Sequence, residues 1–139
     1  MGRINAGRVI LGGLLAGLII NIGEFILNEM VLKAQWESAM QALNLAPAGG
    51  SAIAVFVVGG FISGLLMVWL YAAVRPRLGT GPKTAVIVGL VVWVFGSLLA
   101  LMPPLLTGML PSKIVWTLII WGVFEIPLAA AIGAWPYRE

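Results

Sequence analysis

Four long, continuously apolar stretches dominate this sequence, over residues 8–32, 51–74, 84–106 and 114–135. Each exceeds the roughly 18 residues above which an apolar run is typical of a membrane-spanning helix. Transmembrane β-strands are about half as long and alternate apolar with polar residues, so these stretches are predicted to be helices. We therefore predict an all-α protein, a four-transmembrane-helix integral membrane bundle.

The composition agrees with a lipid environment. Hydrophobic residues make up 61% of the chain and charged residues only 9%, whereas a soluble domain carries about 25% charged residues. Four spans and their connections use up all 139 residues. We expect a single transmembrane domain over residues 1–139, with the lipid bilayer as its main partner.

Several classes of chemistry lack their usual residues. The chain contains no Cys, His or Asp, which are the residues of disulfides, imidazole metal sites and the common nucleophile–base pairs. We therefore predict no enzymatic activity, no metal and no cofactor. The basic residues form no groove-sized patch, so no nucleic-acid partner is expected.

The basic residues also predict the orientation. Six of the eight flank the spans on the side of the two termini: Arg3, Arg8, Arg75, Arg77, Lys83 and Arg138. Only Lys33 and Lys113 lie on the other side. By the positive-inside rule, both termini are cytoplasmic in a multi-pass protein of a prokaryotic-type inner membrane.

Aromatic residues near the span ends are predicted to anchor the helices at the membrane interfaces. The inner set is Trp69, Tyr71, Trp135 and Tyr137, and the outer set is Trp36 and Trp116. Residues 33–44 place Trp36, Met40 and Leu43 at helical spacing among polar residues. This segment is predicted to be a short amphipathic helix on the outer membrane surface.

Each predicted span carries glycines on one face. They are Gly13 and Gly17, Gly60 and Gly64, Gly89 and Gly96, and Gly122 and Gly133. Small residues allow helix backbones to approach closely in a membrane, where no hydrophobic effect drives helices together. We assign these eight glycines to helix packing.

Two glutamates lie well inside the predicted spans, Glu24 in the first and Glu125 in the fourth. A charged carboxylate near the middle of a bilayer costs about 3 kcal/mol on insertion scales, so burial favours the neutral acid. Asn21 and Asn28 share the helix face of Glu24, and Trp121 lies one turn from Glu125. These four carboxyl and amide side chains are the candidate proton- or ion-binding residues, whereas Glu29 points away near the outer end.

The buried carboxyls leave several functions open. Each carboxyl group is a hydrogen-bonded structural group that holds helices together, part of a proton or cation site, or a contact to another subunit, lipid or pigment. Because ionisable residues inside membranes commonly mark transport pathways, we favour an oligomeric proton- or cation-linked transporter or channel. The alternative is a non-catalytic accessory subunit that packs within a larger membrane complex. Either way, a homo-oligomer or a host complex is expected, since four helices are few for alternating access.

Overall fold

The structure is a computed structural model that describes residues 2–139, and over these residues it is all-helical, with no strand. Its helices are α1 (Ala6–Phe25), α2 (Lys33–Ala42), α3 (Gly50–Leu78), α4 (Pro82–Trp93), α5 (Ala100–Leu106) and α6 (Ser112–Ala134). Two π-helical segments continue helices without a break, π1 (Ile26–Val31) after α1 and π2 (Val94–Leu99) between α4 and α5. Four continuous helices are therefore long and apolar enough to cross a membrane: Ala6–Val31, Gly50–Leu78, Pro82–Leu106 and Ser112–Ala134. The predicted all-α fold is confirmed.

Prolines lie inside two of the long helices near their ends. α3 continues through Pro76 to Leu78, four residues beyond the predicted end of the second span. Pro103 and Pro104 lie within α5, which ends at Leu106, as predicted for the third span. A proline inside a helix leaves one carbonyl without its donor, and close to a helix end that loss is small. The turn after α3 is short because Gly79 and Gly81 have φ of 90° and 115°, which glycine adopts without strain.

α1 lies between α3 and α6, and α4 packs mainly on α6. The contact of α1 with α3 depends on glycine. A Cβ on Gly13 would lie 2.6 Å from Cα of Leu65, and one on Gly64 would lie 2.9 Å from Cα of Gly17. A neighbouring backbone thus occupies the space that a side chain needs, as in membrane helix pairs joined by small residues.

α6 makes similar close approaches to α1 and α4. Gly133 packs against Ala16 of α1, and a Cβ on Gly89 of α4 would lie 2.5 Å from Cα of Pro127. Gly60 packs against Asn21, and Gly122 packs against Trp93. Gly96 differs from the other seven glycines assigned to packing, because beyond its own helical turn no atom of residues 2–139 comes within 4 Å of its position for a Cβ. Gly96 lies in π2, where the wider helical turn changes the direction of side chains relative to a regular α-helix.

The two tyrosines predicted as interface anchors are instead buried at the terminal end of the molecule, which contains residues 2–5, 79–81 and 135–139. Tyr71 and Tyr137 are 4% and 5% exposed, and their rings meet edge to face with centroids 6.0 Å apart. The guanidinium carbon of Arg75 lies 5.2 Å from the centroid of the Tyr137 ring, and its Nε is 3.8 Å from a carboxylate oxygen of Glu139. This cluster attaches the last residues of the chain to α3. Trp69, Trp116 and Trp135 are exposed, as interface anchors would be.

At the opposite end, which we call the α2 end, the short helix α2 packs onto the long helices. It begins at Lys33 as predicted and ends at Ala42, two residues before the predicted limit. Its apolar face joins Ala39 to the buried side chains of Leu27, Leu32 and Ile114. Trp36 packs against this cluster and is half-buried.

Gly64→Ala and Gly13→Ala are expected to lower the stability of the fold, since each added methyl group overlaps a neighbouring backbone atom. We expect a loss of about 1–3 kcal/mol, which is typical of overpacking. The melting temperature of the purified protein in detergent measures it, with Gly96→Ala as the matched control because the methyl group there meets open space. Equal melting temperatures for the three variants would contradict the close packing of α1 and α3.

Candidate functional site

Among the acidic and basic side chains of residues 2–139, that of Glu125 is the most deeply buried, with 6% of the residue surface exposed. It projects from α6 onto α1 at Gly23. A Cβ on Gly23 would lie 2.8 Å from the carboxyl carbon of Glu125, so this carboxyl group occupies the space beside the glycine that a side chain would need. The close packing of α1 against α6 thereby places a carboxyl group between two helices.

Glu24 follows Gly23 in α1, and its carboxyl group is a close neighbour of the Glu125 carboxyl. Neither carboxyl group pairs with a basic side chain in the part of the chain that the structure describes. The ion pairs within residues 2–139 are Lys33 with Glu29 at 3.9 Å and Arg75 with Glu139 at 3.8 Å, and neither includes Glu24 or Glu125. Two neighbouring carboxyl groups, one buried and one half-buried and neither with a basic partner, resist ionising together because of their mutual repulsion.

Three side chains donate hydrogen bonds along a chain that includes the pair. Trp121 Nε1 donates to Glu125 Oε2 at 2.5 Å, one turn along α6. Asn28 Nδ2 donates to Glu24 Oε2 at 3.0 Å and to the Glu24 carbonyl at 2.8 Å. Trp36 Nε1 of α2 donates to Asn28 Oδ1 at 2.8 Å. The polar chain therefore runs from Glu24 in α1 through Asn28 in π1 to α2, and the bonded Trp121 and Glu125 of α6 lie beside its Glu24 end.

One atom of this chain lacks a partner. Oε1 of Glu125 is buried and accepts no hydrogen bond from residues 2–139. Leaving a buried polar atom unpaired costs about 1–3 kcal/mol, and more when the group is charged. A proton held between the two carboxyl groups removes much of that cost, because a protonated oxygen donates to the neighbouring carboxyl.

The four candidate residues chosen from the sequence do not all meet. Glu24, Asn28 and Glu125 come together, but Asn21 lies against α3, where its Nδ2 donates to the carbonyl of Val57 at 3.1 Å. Three residues along an α-helix rotate a side chain by about 300°, so Asn21 and Glu24 point about 60° apart. In this structure that difference separates the α3 side of α1 from the α6 side. Glu29 is exposed beside Lys33, as its position on the opposite face predicts.

Two contributors to the site were missed in the sequence. Gly23 was not assigned to packing, although it is the residue on which the Glu125 carboxyl rests. Trp36 was assigned to the membrane interface, whereas its indole N–H lies within the polar chain. The π-helical hydrogen bond from Leu32 N to the Leu27 carbonyl, 2.8 Å long, marks the turn that brings α2 back over Asn28. Nothing in the sequence pattern signals a π-helical turn at this point.

Comparison with protein-family models, with curated proteins and with solved structures finds no match to this chain. Its chemistry is therefore inferred from its own geometry. Two adjoining carboxyl groups, fixed by donors and held away from cations, are suited to binding and releasing a proton.

Trp121→Phe should lower the free energy of unfolding by about 1–3 kcal/mol, because it leaves Glu125 Oε2 without its donor. Trp116→Phe is the matched control, since Trp116 lies in the same helix, is 47% exposed and makes no side-chain hydrogen bond within residues 2–139. Denaturant titration in detergent compares the two variants. If both lose the same stability, the indole–carboxyl hydrogen bond does not support the site.

Proposed function

We propose that this chain is a multi-pass membrane protein, a four-helix bundle in which Glu24 and Glu125 bind one proton for proton-linked transport or conduction. The observation that carries the proposal is the burial of Glu125 against Glu24 with no basic side chain at the pair. Such a pair gains and loses charge within an apolar surrounding, which is the property shared by proton relays in membrane proteins.

The exposed surface supports a location in the membrane. Large apolar side chains face outward along the middle of the long helices, including Leu66 and Phe124, which are 61% and 74% exposed. Soluble proteins rarely expose apolar patches of this extent. The four long apolar helices of matching length give the same indication.

The donor set favours a proton over a metal ion. Hard cations such as Ca²⁺ take six to eight oxygen ligands, whereas the pair offers two carboxyl groups. Within residues 2–139 no group of three or more His, Cys, Asp or Glu side chains comes together. Moreover, Trp121 and Asn28 direct N–H groups at the carboxyl oxygens, and those donors repel a cation.

Two exposed helix surfaces suggest an oligomer. At the α2 end, residues 51–58 of α3 are exposed on almost every side, with only Ala52 half-buried. No residue from Val91 to Leu106 is buried either. A second copy of the chain packed on these surfaces gives the larger number of helices that alternating access generally uses.

The same unpartnered surfaces favour the second candidate function, a non-catalytic subunit of a larger membrane complex. The purified state in mild detergent distinguishes the two. A homo-oligomer supports transport, and stoichiometric co-purification with a set of other membrane proteins supports the subunit function.

Glu125→Gln and Glu24→Gln test the proton site, because glutamine keeps the shape of glutamic acid but does not titrate. In lipid vesicles at neutral pH, we expect the wild type to show an infrared band of a protonated carboxyl group that Glu125→Gln removes. We expect both variants to lose proton-dependent flux in vesicles by about a hundredfold or more, which is the effect of general acid–base groups on rate.

Glu29→Gln is the control for this experiment, since Glu29 is exposed and paired with Lys33. It should keep both the infrared band and the flux. The proposal is contradicted if the wild type shows no protonated carboxyl band at neutral pH, or if both pair variants keep full flux. Glu24 and Glu125 would then have a purely structural role.

The orientation proposed for the bundle places both termini in the cytoplasm, in accordance with the excess of basic residues at the terminal end. In a chain without native cysteine, Ser38→Cys should react with a membrane-impermeant reagent in intact cells and Gly79→Cys should not. Labelling at position 79 but not at position 38 would show the opposite orientation.

A further inference from the structure

We infer that the terminal end of the bundle selects anionic phospholipids, whose phosphate groups bind to a set of exposed basic side chains. We call this set the basic belt, and its members are Arg3, Arg8, Arg77, Lys83 and Arg138. The inference goes beyond the proton site, because it concerns which lipids surround one end of the molecule. It is also independent of the direction in which the chain is inserted.

The first step is the charge balance at the two ends of the molecule. Six basic residues but only one acidic residue, Glu139, lie at the terminal end, and the carboxylate of Glu139 is 3.8 Å from Nε of the half-buried Arg75. No member of the basic belt makes an ion pair within residues 2–139. The α2 end, by contrast, has two basic and two acidic residues: Lys33, Lys113, Glu29 and Glu37. Only the terminal end therefore has an excess of positive charge, and an anionic partner complements it.

The second step is the distribution of these charges around the bundle. Arg8 lies in the first turn of α1, Arg77 in the last turn of α3 and Lys83 in the first turn of α4, and Arg138 follows α6. An exposed basic side chain thus lies at the same end of each of the four long helices. Nucleic acids bind basic residues that are clustered on one face of a protein, whereas lipid headgroups surround every helix of a membrane bundle. The distribution favours lipid as the partner.

The third step is the level of the belt along the helices. Trp135, which lies between α6 and Arg138, is 85% exposed, and exposed tryptophans near the ends of spans lie among the lipid headgroups. Arg138 is therefore at the level of the phosphates. Arg8 is exposed too, and it donates one hydrogen bond, from Nη1 to the carbonyl of Pro136 at 3.4 Å. A guanidinium has five N–H donors, so Arg8 keeps donors for a phosphate.

The backbone that presents Arg138 is fixed before any lipid binds. Arg75 Nη1 donates to the carbonyl of Tyr137 at 3.5 Å, and the backbone N–H of Asn5 donates to the Tyr137 hydroxyl at 3.2 Å. The Tyr137 side chain is itself buried. The residue next to Arg138 is therefore tied to both α3 and the start of the chain.

The turn between α3 and α4 is fixed in the same way. The backbone N–H of Gly81 donates to the hydroxyl of the buried Tyr71 at 3.1 Å, which closes the turn between Arg77 and Lys83. Because the backbone is already ordered on both sides of the bundle, lipid binding orders only the ends of the basic side chains. Preorganisation of this kind lowers the entropic cost of binding.

The test is native mass spectrometry of the purified protein in mild detergent, with equal amounts of phosphatidylglycerol and phosphatidylcholine added. We expect the wild type to bind phosphatidylglycerol in preference. Arg138→Gln should lower the apparent affinity for phosphatidylglycerol by about fivefold, which is the effect of one basic residue beside an anionic surface. Lys113→Gln is the matched control, since Lys113 is exposed and unpaired within residues 2–139 but lies at the α2 end. It should leave the affinity unchanged.

Two further variants separate charge from packing. Arg138→Lys should keep the preference, because it keeps the positive charge. Lys83→Gln, on a different helix, should show the same loss as Arg138→Gln even if the latter disturbs the C-terminal segment.

Equal binding of the two lipids by the wild type, or an equal loss in Lys83→Gln and Lys113→Gln, would overturn the inference. Displacement of bound phosphatidylglycerol by millimolar inorganic phosphate would also overturn it, since the surface would then bind a free anion and not a lipid. Glu125→Gln should keep the lipid preference, so this result and the test of the proton site are independent.

Discussion

The close approach of α1 to α6 is the contact on which the rest of the site depends. Gly12, Ala16 and Gly23 form the face of α1 that meets α6, and only small residues fit there. On its other side α1 meets α3 through Gly13 and Gly17. Two adjacent small-residue faces let one helix pack between two others, and the α6 face ends at the position where Glu125 reaches α1. A larger residue anywhere along it would move the two carboxyl groups apart.

That packing determines the electrostatics. The buried residues between the carboxyl pair and the terminal end are mainly apolar and include Ile20, Val68 and Ala129. Hydrogen-bonded side chains continue from the pair toward the α2 end, through Asn28 to Trp36. The proposed proton site is thus connected by hydrogen bonds to the α2 end of the molecule. At the terminal end, the packed side chains of Tyr71, Tyr137 and Arg75 fill the space between α3 and the last residues of the chain.

Much of this architecture could be predicted from the sequence, because length and continuous apolarity are sufficient to locate long helices. The glycine faces and the buried glutamates were also visible, since helical periodicity places residues on a common face. The sequence did not show which helix each of these faces contacts. Asn21 and Glu24 occupy one arc of α1 but contact different helices. The π-helical turns at Ile26–Val31 and Val94–Leu99 change the directions of the side chains that follow them, and no local sequence pattern indicates these turns. Tertiary contact likewise decides that Tyr71 and Tyr137 are buried and that Trp36 donates to Asn28.

The central claim is that Glu24 and Glu125 share one proton at neutral pH. Solid-state NMR of the protein in lipid bilayers, with carboxyl-¹³C labels on its five glutamates, tests it most directly. Two of the resonances should show a carbon–carbon contact, carry one proton between them and change together as the pH is varied. Five glutamate resonances that are all fully ionised at neutral pH, with no contact between any two, would contradict the account.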